Sequence, residues 1–144
     1  MVKNKLISYF LPVSFFAFIL WMIVSANMDH SNVISDVGKA VPYGDKVGHF
    51  TLFGTLALLL NMALGFRQVG LWSRKFHLGS VLVLLFAVME ECTQLAFHSR
   101  TFDPVDILFD LIGISLLSSM VFRKYIARQV SALANYLNTT LMVK

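Results

Sequence analysis

The sequence predicts an all-α, polytopic membrane protein: a bundle of four transmembrane helices forming one domain over residues 1–144. Three observations predict it. The chain is 57% hydrophobic and only 14% charged, with a mean hydropathy of +0.71, too apolar for a soluble domain of this length. Four stretches, Leu6–Ala26, Val47–Phe66, Leu78–Phe97 and Val105–Phe122, each approach the roughly 20 residues that cross about 30 Å of hydrocarbon. Finally, the acidic residues gather toward one end of these stretches, in or beside two of their connections, whereas most basic residues lie at the other end.

The distribution of Lys and Arg sets the orientation, because short connections retain them on the cytoplasmic side. Lys3 and Lys5 precede the first stretch, Arg67, Arg74 and Lys75 lie between the second and third, and Arg123, Lys124, Arg128 and Lys144 follow the fourth. These nine stand against three on the other side, Lys39, Lys46 and Arg100. Both termini are expected in the cytoplasm, with Asn27–Lys46 and His98–Pro104 outside.

The first stretch has the basic start and the small-residue exit, Val24-Ser25-Ala26, of a signal peptide. Its apolar core exceeds the usual 7–15 residues or so of such signals, so it reads as an uncleaved anchor. The second enters from outside through Asp45-Lys46-Val47-Gly48-His49, which places Asp45 and His49 one turn apart on one face. The third leaves through Glu90-Glu91-Cys92-Thr93-Gln94, then His98 and Arg100. The fourth re-enters through Asp103, Asp106 and Asp110, the last two again one turn apart. After Phe122, the residues Ile126, Val130, Leu133, Leu137 and Leu141 recur at the spacing of an amphipathic helix lying on the inner membrane surface, an anchor without chemistry.

Several features are silent about function. Lone Cys92 cannot make an internal disulfide and behaves inside a span as a small hydrophobe. The net charge of +4 reports topology and contact with anionic lipid; no nucleic-acid partner is implied. Asp29 and His30 belong to a solvated loop. Asp103 before Pro104 fits a helix N-cap with proline in the first turn.

The polar groups within the spans carry the functional reading. At 1.5 Å per residue, Glu91 lies about 9 Å and Asp110 about 8 Å below the outer ends of their spans. Gln94, Asp106 and His49 lie shallower, and Asp45, Lys46, Arg100 and Asp103 form a mouth, the geometry of an outward-open crevice. Glu90 and Glu91 point about 100° apart on a helix, so one of them is expected to face the crevice centre. An ionised carboxylate at the centre of a bilayer costs on the order of 2.5–3.5 kcal/mol. Six carboxylates here face two fixed cations, Lys46 and Arg100, and protonating both His49 and His98 still leaves an excess of two negative charges. Either carboxyls are protonated or a cation occupies the site. Toward the inner end only Asn61 interrupts the spans.

The pattern Asp45-Lys46-x-x-His49-Phe50, then Glu91-x-x-Gln94, then Arg100 followed by Asp106 and Gly113 resembles the VanZ-like family over residues 45–113. This is a set of small multi-pass bacterial membrane proteins named for a member associated with resistance to the glycopeptide teicoplanin. The resemblance implies a cell-envelope role and assigns no reaction, cofactor or metal. Its polar signature falls on Asp45, Lys46, His49, Glu91, Gln94, Arg100 and Asp106. Asp110 stands where the family often has Asn. Gly113, with Ser115, Ser118 and Ser119, fits a small-residue surface for close helix approach.

Three functions follow as expectations. In the first, the crevice recognises a lipid-linked or peptidoglycan-related envelope component, with Arg100 and Lys46 holding phosphate or carboxylate groups and Asp45, Gln94 and Asp110 completing the binding set. In the second, the protein is a membrane-embedded hydrolase or transferase: His49 is general base, Glu91 or Asp106 acid or metal ligand, and Arg100 the stabiliser of transition-state charge. The chain lacks a compact metal or nucleophile signature such as His-Glu-x-x-His. The third is proton-coupled transport, which buried carboxylates suit but which the confinement of polar groups to the outer half opposes.

Overall fold

The computed structural model describes residues 2–28, 40–71, 73–97 and 101–142. Among the described residues, four helices and one hairpin follow in order: α1 Val2–Asn27, α2 Gly44–Ala63, β1 Gln68–Leu71, β2 Arg74–His77, α3 Leu78–Gln94 and α4 Pro104–Met142. Two segments, Ser8–Asn27 of α1 and Pro104–Tyr125 of α4, are long and apolar enough to cross a membrane. The polar residues of interest lie on α2 (Asp45, Lys46, His49 and Asn61), on α3 (Glu90, Glu91 and Gln94) and on α4 (Asp106 and Asp110).

Helix α2 is central and packs on α1, α3 and most extensively on α4. The core joins Ile19 of α1, Phe53, Leu56 and Ala57 of α2, Val83 and Ala87 of α3, and Ile114 of α4. Phe86 sets its ring edge-on to Phe16 at 5.0 Å and packs on Phe53 at 5.8 Å, linking three helices at mid-height. Glycine permits the α2–α4 approach. A Cβ added at Gly54 would lie 2.9 Å from the Gly113 carbonyl carbon and oxygen, and one at Gly113 would run into the Phe50 carbonyl oxygen. The small-residue role expected of Gly113 is therefore met by direct backbone contact, and Ser118 is likewise buried.

The connection between α2 and α3 departs from the all-α expectation. Gln68–Leu71 and Arg74–His77 pair antiparallel in the register Gln68↔His77 to Leu71↔Arg74. Alternation of polar and apolar side chains in Gln68-Val69 and Phe76-His77 matches a strand period of two. The chain leaves α2 through Gly65 at φ 61° and Phe66 at φ 55°. Phe66 N–H donates to the Asn61 carbonyl at 2.7 Å and Gly65 N–H to that of Met62 at 3.1 Å, the paired bonds of a Schellman ending. Phe66 accepts the left-handed conformation because its ring is buried against His77, Phe122 and Tyr125.

The fourth helix also differs from expectation. It continues unbroken from Pro104 to Met142, so the tail is an extension of the last span and not a separate helix after it. Val130 is exposed; the side chains of Ile126, Leu133, Leu137 and Leu141 lie outside the described residues.

Candidate functional site

At the end of the bundle where α2 and α4 begin and α3 finishes, polar side chains from all three helices converge. Helix α2 starts after the turn Val41–Gly44, closed by a 2.9 Å bond from Gly44 N–H to the Val41 carbonyl, with Pro42 at its second position and Tyr43 at φ 59° in its third. Helix α4 starts at an Asp103 cap: its Oδ1 accepts from Val105 N–H at 2.9 Å, with Pro104 at the first helical position. The capping role read from the sequence is present, and Asp103 has a second one.

That second role is with Lys46, whose ammonium donates to Asp103 at 2.7 Å, Asp106 at 2.9 Å and Asp45 at 3.2 Å. These bonds hold the Lys46 pKa well above the ordinary lysine value, Asp103 contributing most, and Lys46 in turn draws the Asp103 carboxyl below the usual carboxylate range. Lys46 commits its donors to this clamp. An anionic ligand would have to displace a carboxylate to reach it.

One turn deeper, His49 Nδ1 stands 3.2 Å from both Asp110 oxygens, and Nε2 stands 3.8 Å from Asp106 Oδ2. Its ring stacks on Phe53, with centroids 5.5 Å apart and planes inclined by 17°. From α3, Gln94 Nε2 donates to both Glu90 oxygens and to Glu91 Oε2, all at 3.1 Å. The other Glu91 oxygen accepts from Asp103 N–H at 2.6 Å. Glu91 thus fixes the start of α4 from across the bundle.

Of the expected residues, Asp45, Lys46, His49, Glu91, Gln94, Asp106 and Asp110 lie together, with two differences from expectation. The expectation that one of Glu90 and Glu91 would face the centre is not met: both are buried, Glu90 at 5% and Glu91 at 0% exposure. Gln94 is four residues after one and three after the other, so a single amide reaches both carboxylates; that spacing was the sequence signal for Glu90. The cluster is also closed rather than an open crevice, with Asp110 at 1% and Gln94 at 2% exposure. Cavities lie elsewhere: one of about 270 Å³ between α1, α2 and α3, reaching Tyr9, Leu60 and Phe86, and one of about 230 Å³ beside His77, Ser80 and Ser118. Arg100, His98, Asp29 and His30 lie outside the described residues.

A second polar group, partly foreseen in Asn61, ties the opposite end together. Asn61 is fully buried; its amide donates to Ser80 at 2.8 Å and Ser118 at 3.0 Å, and its carbonyl accepts from Ser80 N–H at 3.2 Å. Gly79 makes room for it, since a Cβ there would lie 2.5 Å from Asn61 Oδ1.

No curated protein and no solved structure matches the chain. The VanZ/LLP1 family profile matches residues 5–125, a range that takes in α2, α3 and every polar residue of the cluster. With two apolar helices of membrane-crossing length and this coverage, the chain is a membrane protein that belongs to the VanZ/LLP1 family.

Proposed function

We propose that the chain crosses the bacterial plasma membrane four times with both termini in the cytoplasm, and that the polar cluster engages a cell-envelope component from the outer face. The family link to glycopeptide resistance, teicoplanin in the founding case, supplies the expected phenotype: lowered susceptibility to such drugs. A lipid-linked or peptidoglycan-related molecule suits a polar site at the membrane surface.

The observation that carries this reading is the inverted distribution of polarity. Glu90, Glu91, Gln94, Asp106 and Asp110 are buried, while Leu82, Leu85 and Met89 on α3 and Leu108, Leu111, Ile112 and Leu116 on α4 are exposed. Water as solvent would favour the reverse, whereas lipid favours this arrangement. The exposed positions on α3 recur at three and four residues, forming one lipid-facing side opposite the glutamates. At 17 residues, α3 is at the short end of the roughly 17–25 residues that span a bilayer.

The test is Glu91→Gln and Arg100→Lys, scored for protein in purified membranes and for drug susceptibility. Glu91→Gln keeps the shape and removes an ionisable group; Arg100→Lys keeps the charge and removes the planar donor fork. Both are expected to lose most of the resistance phenotype while remaining inserted. Full resistance in both variants would make these groups packing features, and loss from the membrane would make them structural.

The membrane-embedded enzyme is the second reading, favoured by the Asp110–His49 pair, which resembles the carboxylate-oriented imidazole of a general base. Mass spectrometry of envelope lipids from cells with and without the protein separates the two. A changed lipid supports an enzyme; an unchanged profile with drug tolerance supports binding.

A further inference from the structure

We propose that His49, Glu90 and Glu91 form a binding site for one divalent first-row metal ion, Zn²⁺ or Mn²⁺, at the junction of α2 and α3. A ring nitrogen of His49 and one oxygen from each glutamate all lie within 4.8 Å of one another. Three atoms so spaced share a centre no farther than about 2.8 Å from each (4.8/√3), and small rotamer shifts bring that to the roughly 2.0–2.2 Å of zinc–nitrogen and zinc–carboxylate bonds. A mixed imidazole and carboxylate set suits zinc or manganese; calcium and magnesium prefer oxygen alone.

The surroundings are those that hold metal ligands in place. Asp110, itself buried, engages His49 Nδ1 and so fixes the tautomer that offers Nε2 to an ion, the carboxylate–histidine–metal relay. Gln94 holds both glutamates, and the Asp103 N–H fixes Glu91. Asp106 Oδ2, 3.8 Å from His49 Nε2, offers a further oxygen for a fourth position. Lys46 does not occupy this space, since its ammonium is directed to Asp45, Asp103 and Asp106. An ion would also supply positive charge where burial of carboxylates in a membrane is costly. The inference does not depend on the identity of the envelope ligand.

The full-length protein, purified in detergent and stripped with chelator, is titrated calorimetrically with Zn²⁺, Mn²⁺, Mg²⁺ and Ca²⁺. One Zn²⁺ or Mn²⁺ per chain is expected, bound at least about tenfold more tightly than Mg²⁺ or Ca²⁺. His49→Gln and Glu90→Gln should abolish that binding, and Asp110→Asn, which removes only the orienting partner, should weaken it about 10–100-fold. A measurement on the unmodified chain covers variants that fail to fold: diethylpyrocarbonate labelling read by mass spectrometry, in which saturating Zn²⁺ should protect His49 and leave His77 reactive. Absence of stoichiometric binding, unchanged affinity in folded His49→Gln, or protection of another histidine in place of His49 would each overturn the site. Loss of metal binding with resistance intact would leave the metal site standing and sever it from the envelope function.

Discussion

At the level of single residues, the cluster is organised by hydrogen bonds that each serve two elements. Lys46 joins the start of α2 to the start of α4, and Glu91 joins the end of α3 to the same point. Lys46→Met should therefore lower stability by roughly 1–2 kcal/mol, between an exposed ion pair and a buried charged hydrogen bond, read from thermal unfolding in detergent. The pH dependence of that loss follows from the shifts of Asp103 and Lys46, both outside the spans. Asp103 is depressed, so its share of the clamp is present above its ordinary value of 3.8 and disappears as pH falls through its lower folded value. Lys46 is raised, so its share is complete below its ordinary 10.5 and disappears only as pH rises through a still higher value. The difference between wild type and Lys46→Met should be constant across pH 5–9 and shrink below about pH 4. A difference that peaks near neutral pH would assign the clamp to another titrating group. Convergence of His49, Glu91 and Asp106 was legible in the sequence because helical spacing and alternating spans put them at one level. Closure of the cluster was not, because it depends on which rotamers Gln94 and Lys46 adopt once three helices are packed.

At the level of elements, the contact between α2 and α4 rests on two positions that admit no side chain. Gly113→Val should cost more than the roughly 1–3 kcal/mol of ordinary overpacking, because its added atoms meet the Phe50 backbone and not a flexible side chain. Gly48→Ala is the control: nothing lies within 4 Å of its added Cβ, and it should retain wild-type yield and melting temperature. Equal behaviour of the two variants, measured by size-exclusion profile and thermal unfolding, would refute a glycine-dependent crossing. The helices themselves were legible from runs of apolar residues about 20 long. The hairpin escaped because two strands of four residues carry too few alternations to stand out from a basic loop. The continuation of α4 to Met142 escaped for a related reason: Arg123 and Lys124 mark where apolar character ends, but neither Gly nor Pro follows to stop the helix.

At the level of the whole molecule, reporter fusions test the proposed orientation: at Gly70 and Lys144 they should read cytoplasmic, and at Ser35 external. An external reading at Lys144 would refute the even number of crossings. Helix α3 is tied at its last turn to the start of α4 by the Asp103 N–H to Glu91 bond. Its first turn is bound to α2 and α4 by Gly79 against Asn61 and by Ser80 between Asn61 and Ser118, while α2 and α4 are themselves joined backbone to backbone. In mechanical terms, α2 and α4 are a frame and α3 a lever pivoted at its Asn61 end. Breaking the Asp103 N–H to Glu91 bond and displacing the opposite end by a few ångströms would part Glu90 and Glu91 from His49 without disturbing the pivot. In a Cys92→Ser background, spin labels at Val47→Cys and Leu95→Cys should report a broad distance distribution, and labels at Met62→Cys and Leu82→Cys a narrow one. Equal widths would mean that α3 is held as rigidly at the cluster as at the pivot. With the lever closed, the glutamates are shielded from water, so access to the site is set by the angle of one 17-residue helix.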